Sequence, residues 1–387
     1  MELPRSATGA PHVSNLDLLR ATAIGLVLLI NLVGEHVMDL GAAANHVLES
    51  GWMGVDLFFV ISGWLIGGLY WRERAAFGDV QLGRFWARRW LRTIPPYIVV
   101  FAAVSAIRAF VLHGGAPEWK YLAFVQNYAL PIPYWAVSWS LCVEEHFYLA
   151  LPLLLAAALR VRGSLFPLLF GLAAASLVAR VLTVPDGAAE WGPHYTATHM
   201  RLEGLALGVA ASAAYHLRPD LWPRIRHVAR LVAVPGLAFV ASVPWLPLDV
   251  VNRFAYTGVD VAFAAVLVAV VDGRPLPFAS SRAVRWVALT SYSIYMTHTS
   301  VLHLYQATVG ASFPDLPAGL HAALALVAVG LVAAAFYAAA ERPSLWLRER
   351  IAPRRPSVRT STPAVSAPGG DGHWRGVAAP AIPVGRG

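Results

Sequence analysis

The chain has 387 residues, 57% of them hydrophobic and only 13% charged, with a mean hydropathy of +0.56 and a net charge of +8. Repeated apolar runs of about 20 residues exclude a water-soluble globular protein and identify an all-α polytopic membrane protein. The positive charge is almost all arginine placed between apolar runs, so it reads as membrane topology and not as a nucleic-acid surface. Cys142 is the only cysteine, which excludes an internal disulfide and a cysteine metal site; no metal is expected.

Ten spans are predicted, at about residues 17–34, 53–71, 94–112, 138–159, 164–183, 201–216, 231–247, 255–271, 285–305 and 319–340. Connections leaving the even-numbered spans carry the arginines, such as Arg72, Arg74 and Arg84 after the second and Arg218, Arg224 and Arg226 after the sixth. Those leaving odd-numbered spans are poor in Arg and Lys, with Lys120 and Arg253 as scattered exceptions. This alternation puts both termini in the cytoplasm. The alanines at 42–44 lie about ten residues past the first apolar run, too far for ordinary signal cleavage, so the first span is expected to be retained. Residues 1–14 form a short cytoplasmic segment, residues 15–345 the ten-helix domain, and residues 346–387, rich in Pro, Gly, Ala and Ser, an expected disordered tail.

The first span opens with Asn15, Asp17 and Arg20. Arg20 and Asn31 are eleven residues apart, which on a helix is three turns plus roughly 20° and about 16 Å, so both share one face. The bland reading of Asn31 is an interhelical hydrogen bond; the sharper one is function, the default for intramembrane polar groups. In the second span, GVDLFFVISGWLI (residues 54–66) places Asp56 just inside the outer end, while Ser62, Gly63 and Gly67 allow close backbone approach.

Before the third span, RFWARRWLRTIPPY (residues 84–97) sets Arg88, Arg89 and Arg92 ahead of a helix that Pro95 and Pro96 can start. Such a cluster is a topology signal or, more sharply, a phosphate site, because guanidinium forks match phosphate oxygens. In the fourth span, SWSLCVEEHFYLALP (residues 138–152) carries Glu144 and Glu145 six or seven residues in. Helix neighbours point about 100° apart, so one carboxylate can pair with an arginine or histidine while the other lines a cavity. THMRLEGLALG (residues 198–208) brings His199, Arg201 and Glu203 into the sixth span as a charged cap or an acceptor contact. SYSIYMTH (residues 291–298) puts His298 in the outer half of the ninth, as packing or as an acid–base partner of a glutamate. On this topology Asn31, His36, Asp56, Glu144, Glu145, His199 and His298 fall in the outer half and the arginine cluster at the inner edge.

Together these motifs, with LDLLRATA (residues 16–23), WSLCVEEHFYL (residues 139–149) and ERP (residues 341–343), resemble the family-3 integral-membrane acyltransferases, in family order over about residues 15–345. The resemblance implies an enzyme of a bacterial cytoplasmic membrane. It would transfer a short acyl group, acetyl, from acyl-CoA as co-substrate to a hydroxyl of a carbohydrate, envelope glycan or glycoside. The implied catalytic set is Arg20, Asn31, Glu144, Glu145, Asp56 and His298. Arg88, Arg89 and Arg92 would hold the donor, and His199, Arg201 and Glu203 the acceptor. The chain departs from the family where it has Asn31, since a histidine base is typical eleven residues after the arginine. Asn accepts no proton near neutral pH. Either His36 substitutes, or Glu144, Glu145 or His298 is the base, or the chain is an inactive relative or a transporter of acyl groups or glycans. Glu203 stands where the family more often has Asp.

Overall fold

The computed structural model describes residues 14–110, 113, 117–132, 134–161 and 163–353. The described residues form helices and connections, with no strand among them. Ten helices coincide with the ten expected spans. They are α1 (Ser14–Gly34), α2 (Met53–Phe77), α3 (Leu82–Phe110), α4 (Trp139–Arg160), α5 (Leu165–Thr183), α6 (Glu203–Leu217), α7 (Trp222–Ser242), α8 (Tyr256–Val270), α9 (Arg282–Tyr305) and α10 (Ala318–Phe336). A further helix, α11 (Arg342–Ile351), follows α10. Helix there means that residues 346–351 are ordered and not part of a disordered tail. The rest of that expected tail, and residues 1–13, lie outside the described residues, apart from 352 and 353.

Eight segments of the described chain are long and apolar enough to cross a membrane. Helices α6 and α9 are not among them. α6 has only 15 residues, and α9 is rich in Ser, Thr, Tyr and His. Both are sheltered by neighbouring helices, so protein and not lipid solvates their polar groups. Small residues bring α2 and α6 together: a Cβ on Gly63 would lie 2.1 Å from the Leu205 carbonyl oxygen, and one on Gly208 would lie 2.2 Å from that of Val60. This is the close approach that the glycines of the second span predicted.

Contacts at the helix ends respect the expected alternation. With the arginine-rich side named inner, Asn15 at the start of α1 donates to Val270 O (2.7 Å) and Arg274 O (3.0 Å) past the end of α8. On the other side, His303 of α9 meets Glu35 beyond α1 at 3.2 Å, and His46 meets Pro244 O at 2.7 Å.

Helix α3 corrects the expectation that Pro95 and Pro96 start a helix. It runs unbroken from Leu82, with both prolines inside. Pro95 has no N–H for the Leu91 carbonyl four residues before it. The Ser344 hydroxyl of α11 donates to that carbonyl instead. A proline pair is tolerated in a membrane helix when a neighbour re-satisfies the freed group.

The connection between α3 and α4 also folds back toward the bundle. Tyr97 of α3 donates to Tyr121 O (2.9 Å), and Gln126 donates to both Tyr97 Oη and Ser138 Oγ at 3.1 Å. Tyr121, Gln126 and Asn127 are fully buried. Non-helical backbone of this kind is stable because protein surrounds it.

Candidate active site

The earlier start of α3 and the inward fold of the α3–α4 connection bring two motifs into register. Along the antiparallel pair, Trp86 Nε1 reaches Tyr148 O (3.3 Å), Arg89 reaches Glu144 and Thr93 reaches Glu145. Arg89 Nη2 donates to Glu144 Oε2 at 2.9 Å. Tyr148 Oη donates to the same oxygen at 2.6 Å, and Ser62 Oγ of α2 donates to Oε1 at 3.1 Å. The Arg89 guanidinium lies 3.9 Å from the centre of the Tyr148 ring. Every lone-pair direction of Glu144 that these donors reach is therefore occupied, and its charge is neutralised in place.

Glu145 points elsewhere, as the 100° step between neighbours requires. Its Oε1 accepts from Thr93 Oγ1 at 2.8 Å, while Oε2 is buried without a hydrogen-bond partner among the described residues. Tyr292 of α9 donates to Thr93 O at 2.9 Å and closes this side. A buried carboxylate oxygen with no donor is costly unless something else occupies it during function.

The arrangement corrects the expected separation of an outer acid–base end from an inner cationic mouth: Arg89 and Glu144 touch. The three arginines also divide. Arg88, 8% exposed, donates to Glu349 of α11 (3.0 Å) and to Ala352 O, which fastens α11. Arg89 and Arg92, three residues apart on one face, look into the bundle instead. Arg92, Arg89 and Glu341 are the charged neighbours of Arg20 from other helices. Glu341 accepts from Ser293 Oγ at 2.6 Å. The inner half of the site thus gathers Arg20, Arg89 and Arg92 from α1 and α3.

Asn31 is half-buried, and its Nδ2 donates to Val27 O of its own helix at 2.8 Å. His36 lies beyond the end of α1, exposed, with φ 55°. It is off the helix altogether and not on the face of Asn31. His298 is fully buried. Its Nδ1 contacts Tyr295 O (2.8 Å) and Ile294 O (3.1 Å), which requires the proton on Nδ1, and Nε2 has no partner among the described residues. It makes no hydrogen bond to Glu144 or Glu145; Tyr295, one turn earlier, instead bonds Ser140 Oγ (2.5 Å) and Val137 O (2.9 Å).

The remaining sequence candidates form a second, closed cluster toward the outer side. Arg201 Nη2 donates to Asp56 Oδ1 at 2.6 Å, and both are at most 1% exposed. The Arg201 guanidinium sits 4.2 Å from the Tyr256 ring centre. Glu203, also fully buried, pairs with Arg180 and accepts from Thr257 at 2.9 Å. Asp56, Arg201 and Glu203 therefore face one another across α2, α6 and α8. His199 alone is exposed; it stacks on Tyr128 with ring centres 6.0 Å apart.

Sequence reasoning missed Arg180, Asp260 and Tyr292. The first two carried a signal, since an arginine in LVARVL and an aspartate in GVDVAF are charges inside apolar runs. Tyr292 lies inside the SYSIYMTH motif, where His298 drew the reading.

A family described as an acyltransferase domain matches residues 13–339. The peptidoglycan O-acetyltransferase OatA of Listeria monocytogenes is 26% identical over 337 residues, 79% of this chain and 52% of that protein. The O-acetyltransferase OatA of Staphylococcus aureus is 25% identical over 324 residues, 75% of this chain and 51% of that protein. The chain thus spans about half the length of these curated relatives. No solved structure matches it.

Proposed function

The chain belongs to the acyltransferase family that matches it over residues 13–339, and on that premise we propose that it is an O-acetyltransferase of a bacterial cytoplasmic membrane. The donor is acyl-CoA, acetyl-CoA by preference, and the acceptor is a hydroxyl of a carbohydrate, envelope glycan or glycoside. The relatives' printed names support the acetyl group and the acceptor class, and their bacterial sources together with this chain's membrane-length helices support the membrane.

The observation that carries this reading is the 2.9 Å contact of Arg89 with Glu144. It joins the arginines of α1 and α3 to the acids of α4. Arg20 and Arg92 attract the anionic donor from the inner side. Arg88 serves by holding α11 and not by touching phosphate. Glu144 fixes the Arg89 guanidinium, which stabilises negative charge on the thioester oxygen during attack. Glu145 Oε2 takes the acceptor's proton as the new C–O bond forms; the C–S bond breaks and the proton passes to the leaving thiolate. Asn31, with Nδ2 tied to Val27 O, offers its amide oxygen to orient the acceptor hydroxyl. The Asp56–Arg201 and Arg180–Glu203 pairs hold α2, α5, α6 and α8 in register around this site.

The test is acyl transfer by the purified protein in nanodiscs, with labelled acetyl-CoA and a panel of glycans and glycosides, read as an alkali-labile ester by mass spectrometry. A new ester that requires Glu145 supports the reading. Absence of any ester across the panel, with coenzyme A still bound, favours an inactive relative; relocation of an unchanged molecule across a vesicle favours a transporter.

A further inference from the structure

Tyr128 and His199 take no part in the chemistry above, yet the fold holds them against each other on the outer side. Gln126, Asn127 and Tyr128 make one turn of 3-10 helix in the α3–α4 connection. Gln126 and Asn127 are its fully buried anchors. Gln126 reaches Tyr97 Oη and Ser138 Oγ, while Asn127 Nδ2 donates to Thr198 Oγ1 at 2.9 Å and to Thr196 O at 3.1 Å. Thr196 Oγ1 donates back to Asn127 O at 2.9 Å. Tyr128, next in the chain, is 51% exposed. Its ring is within 6° of parallel to that of His199, with centres 6.0 Å apart, and its Oη lies 3.5 Å from His199 Nδ1. The ring of His146, which follows Glu145 in α4, is centred 6.4 Å from that of Tyr128. His146 is tied down within the protein, with Nδ1 2.8 Å from Thr198 Oγ1 and the Phe124 backbone as a second partner.

A tyrosine that only marks a membrane interface needs no fixed orientation. Tyr128 has one, and holding it is costly: Gln126 Oε1 and Asn127 Oδ1 stay buried without a partner among the described residues. An exposed aromatic ring fixed beside an imidazole suits a ligand with an apolar face and a polar edge. A pyranose ring is such a ligand, since its C–H bonds form the face and its hydroxyls form the edge. We propose that Tyr128 and His199 form a sugar platform, on which one pyranose ring of the acceptor lays its C–H face on Tyr128 and hydrogen-bonds His199. His146 positions Tyr128 and links the platform to the turn of α4 that carries Glu145. The assignment rests on the O-acetyltransferase reading above and narrows its acceptor to a pyranoside, excluding acyclic polyols.

Binding is measured on the full chain in nanodiscs against an array of pyranose oligosaccharides, peptidoglycan fragments and glycosides, with ribitol and glycerol as acyclic controls. At least one pyranoside is expected to bind, and neither polyol. Tyr128→Ala is expected to weaken that sugar about five- to tenfold and His199→Ala by less. Tyr128→Trp should keep the affinity and Tyr128→Leu should lose it. Because Tyr128 is exposed, the unfolding midpoints of these variants should match wild type.

No pyranoside bound by the unmodified protein overturns the proposal. So does equal affinity in Tyr128→Ala, which assigns Tyr128 to the membrane interface, and so does a Tyr128→Leu variant that binds as well as Tyr128→Trp. Sugar binding that depends on Tyr128, without ester formation from acetyl-CoA, leaves the platform standing and removes the catalytic reading. Ester formation with an unchanged acceptor KM in Tyr128→Ala removes the platform and leaves the catalytic reading in place.

Discussion

Glu144 and Glu145 are neighbours in sequence but differ in their partners: Glu144 accepts from Arg89, Tyr148 and Ser62, whereas Glu145 accepts from Thr93, has Trp90 beside it, and keeps one buried oxygen without a partner among the described residues. The oxygen that no donor occupies is the one a substrate hydroxyl can approach as a proton donor.

Glu145→Gln is therefore expected to lower acyl transfer by about 100- to 10,000-fold, the usual contribution of a general base. Binding of coenzyme A and the unfolding midpoint should stay near wild type. Single-turnover kinetics beside a binding isotherm separates the two; retained turnover would return the base role to Glu144 or His298.

Removing one side of the Arg89–Glu144 pair, 16% and 15% exposed, leaves a largely desolvated charge without its nearest partner. Arg89→Gln or Glu144→Leu should each cost about 3–5 kcal/mol of stability, and the double variant less than their sum. Thermal unfolding of the three variants in nanodiscs completes the double-mutant cycle.

Among the described residues the Asn31 side chain makes one hydrogen bond, to its own helix, so truncation should hardly disturb the fold. Asn31→Ala is expected to reduce turnover by up to about tenfold, the worth of one orienting hydrogen bond, with the unfolding midpoint unchanged. Asn31→His supplies the contrast. Turnover above wild type in that variant would mean that a base belongs at position 31 and that the amide does not orient the hydroxyl.

Asp56 and Arg201 are both sealed from solvent. Asp56→Asn and Arg201→Met should act on stability, by about 3–5 kcal/mol each, and leave the KM for acceptor unchanged in whatever protein remains folded. A specific rise in acceptor KM at full stability would show that Arg201 reaches substrate after all.

Ser344→Ala leaves the Leu91 carbonyl without a donor and should cost about 1–3 kcal/mol. Pro95→Ala restores an N–H at the position that serves this carbonyl. The double variant should recover most of the loss, as read from unfolding midpoints; no recovery would mean that Ser344 stabilises α11 by another route.

Much of the architecture follows from the chain alone. Length and hydropathy of the apolar runs gave ten helices in the expected places, because partition into lipid depends on each residue's own transfer energy and adds along the segment. The charges worth examining were visible for the same reason: Arg20, Asp56, Glu144 and Glu145 are polar where lipid penalises polarity. Family membership rests on sequence as well.

The pairings were decided only by tertiary structure. Arg89 lies 55 residues from Glu144 and Arg201 145 residues from Asp56. Whether such residues meet depends on the azimuth of each helix and the depth at which two helices cross. Those quantities are set by contacts such as Gly63 against Leu205 and by the inward fold of the α3–α4 connection. The prolines show the same dependence. Local rules place Pro95 and Pro96 at a helix start, and a hydroxyl from Ser344, about 250 residues away, makes the helix interior possible. Burial energy adds residue by residue and is legible in one dimension; hydrogen-bond partnership needs the third.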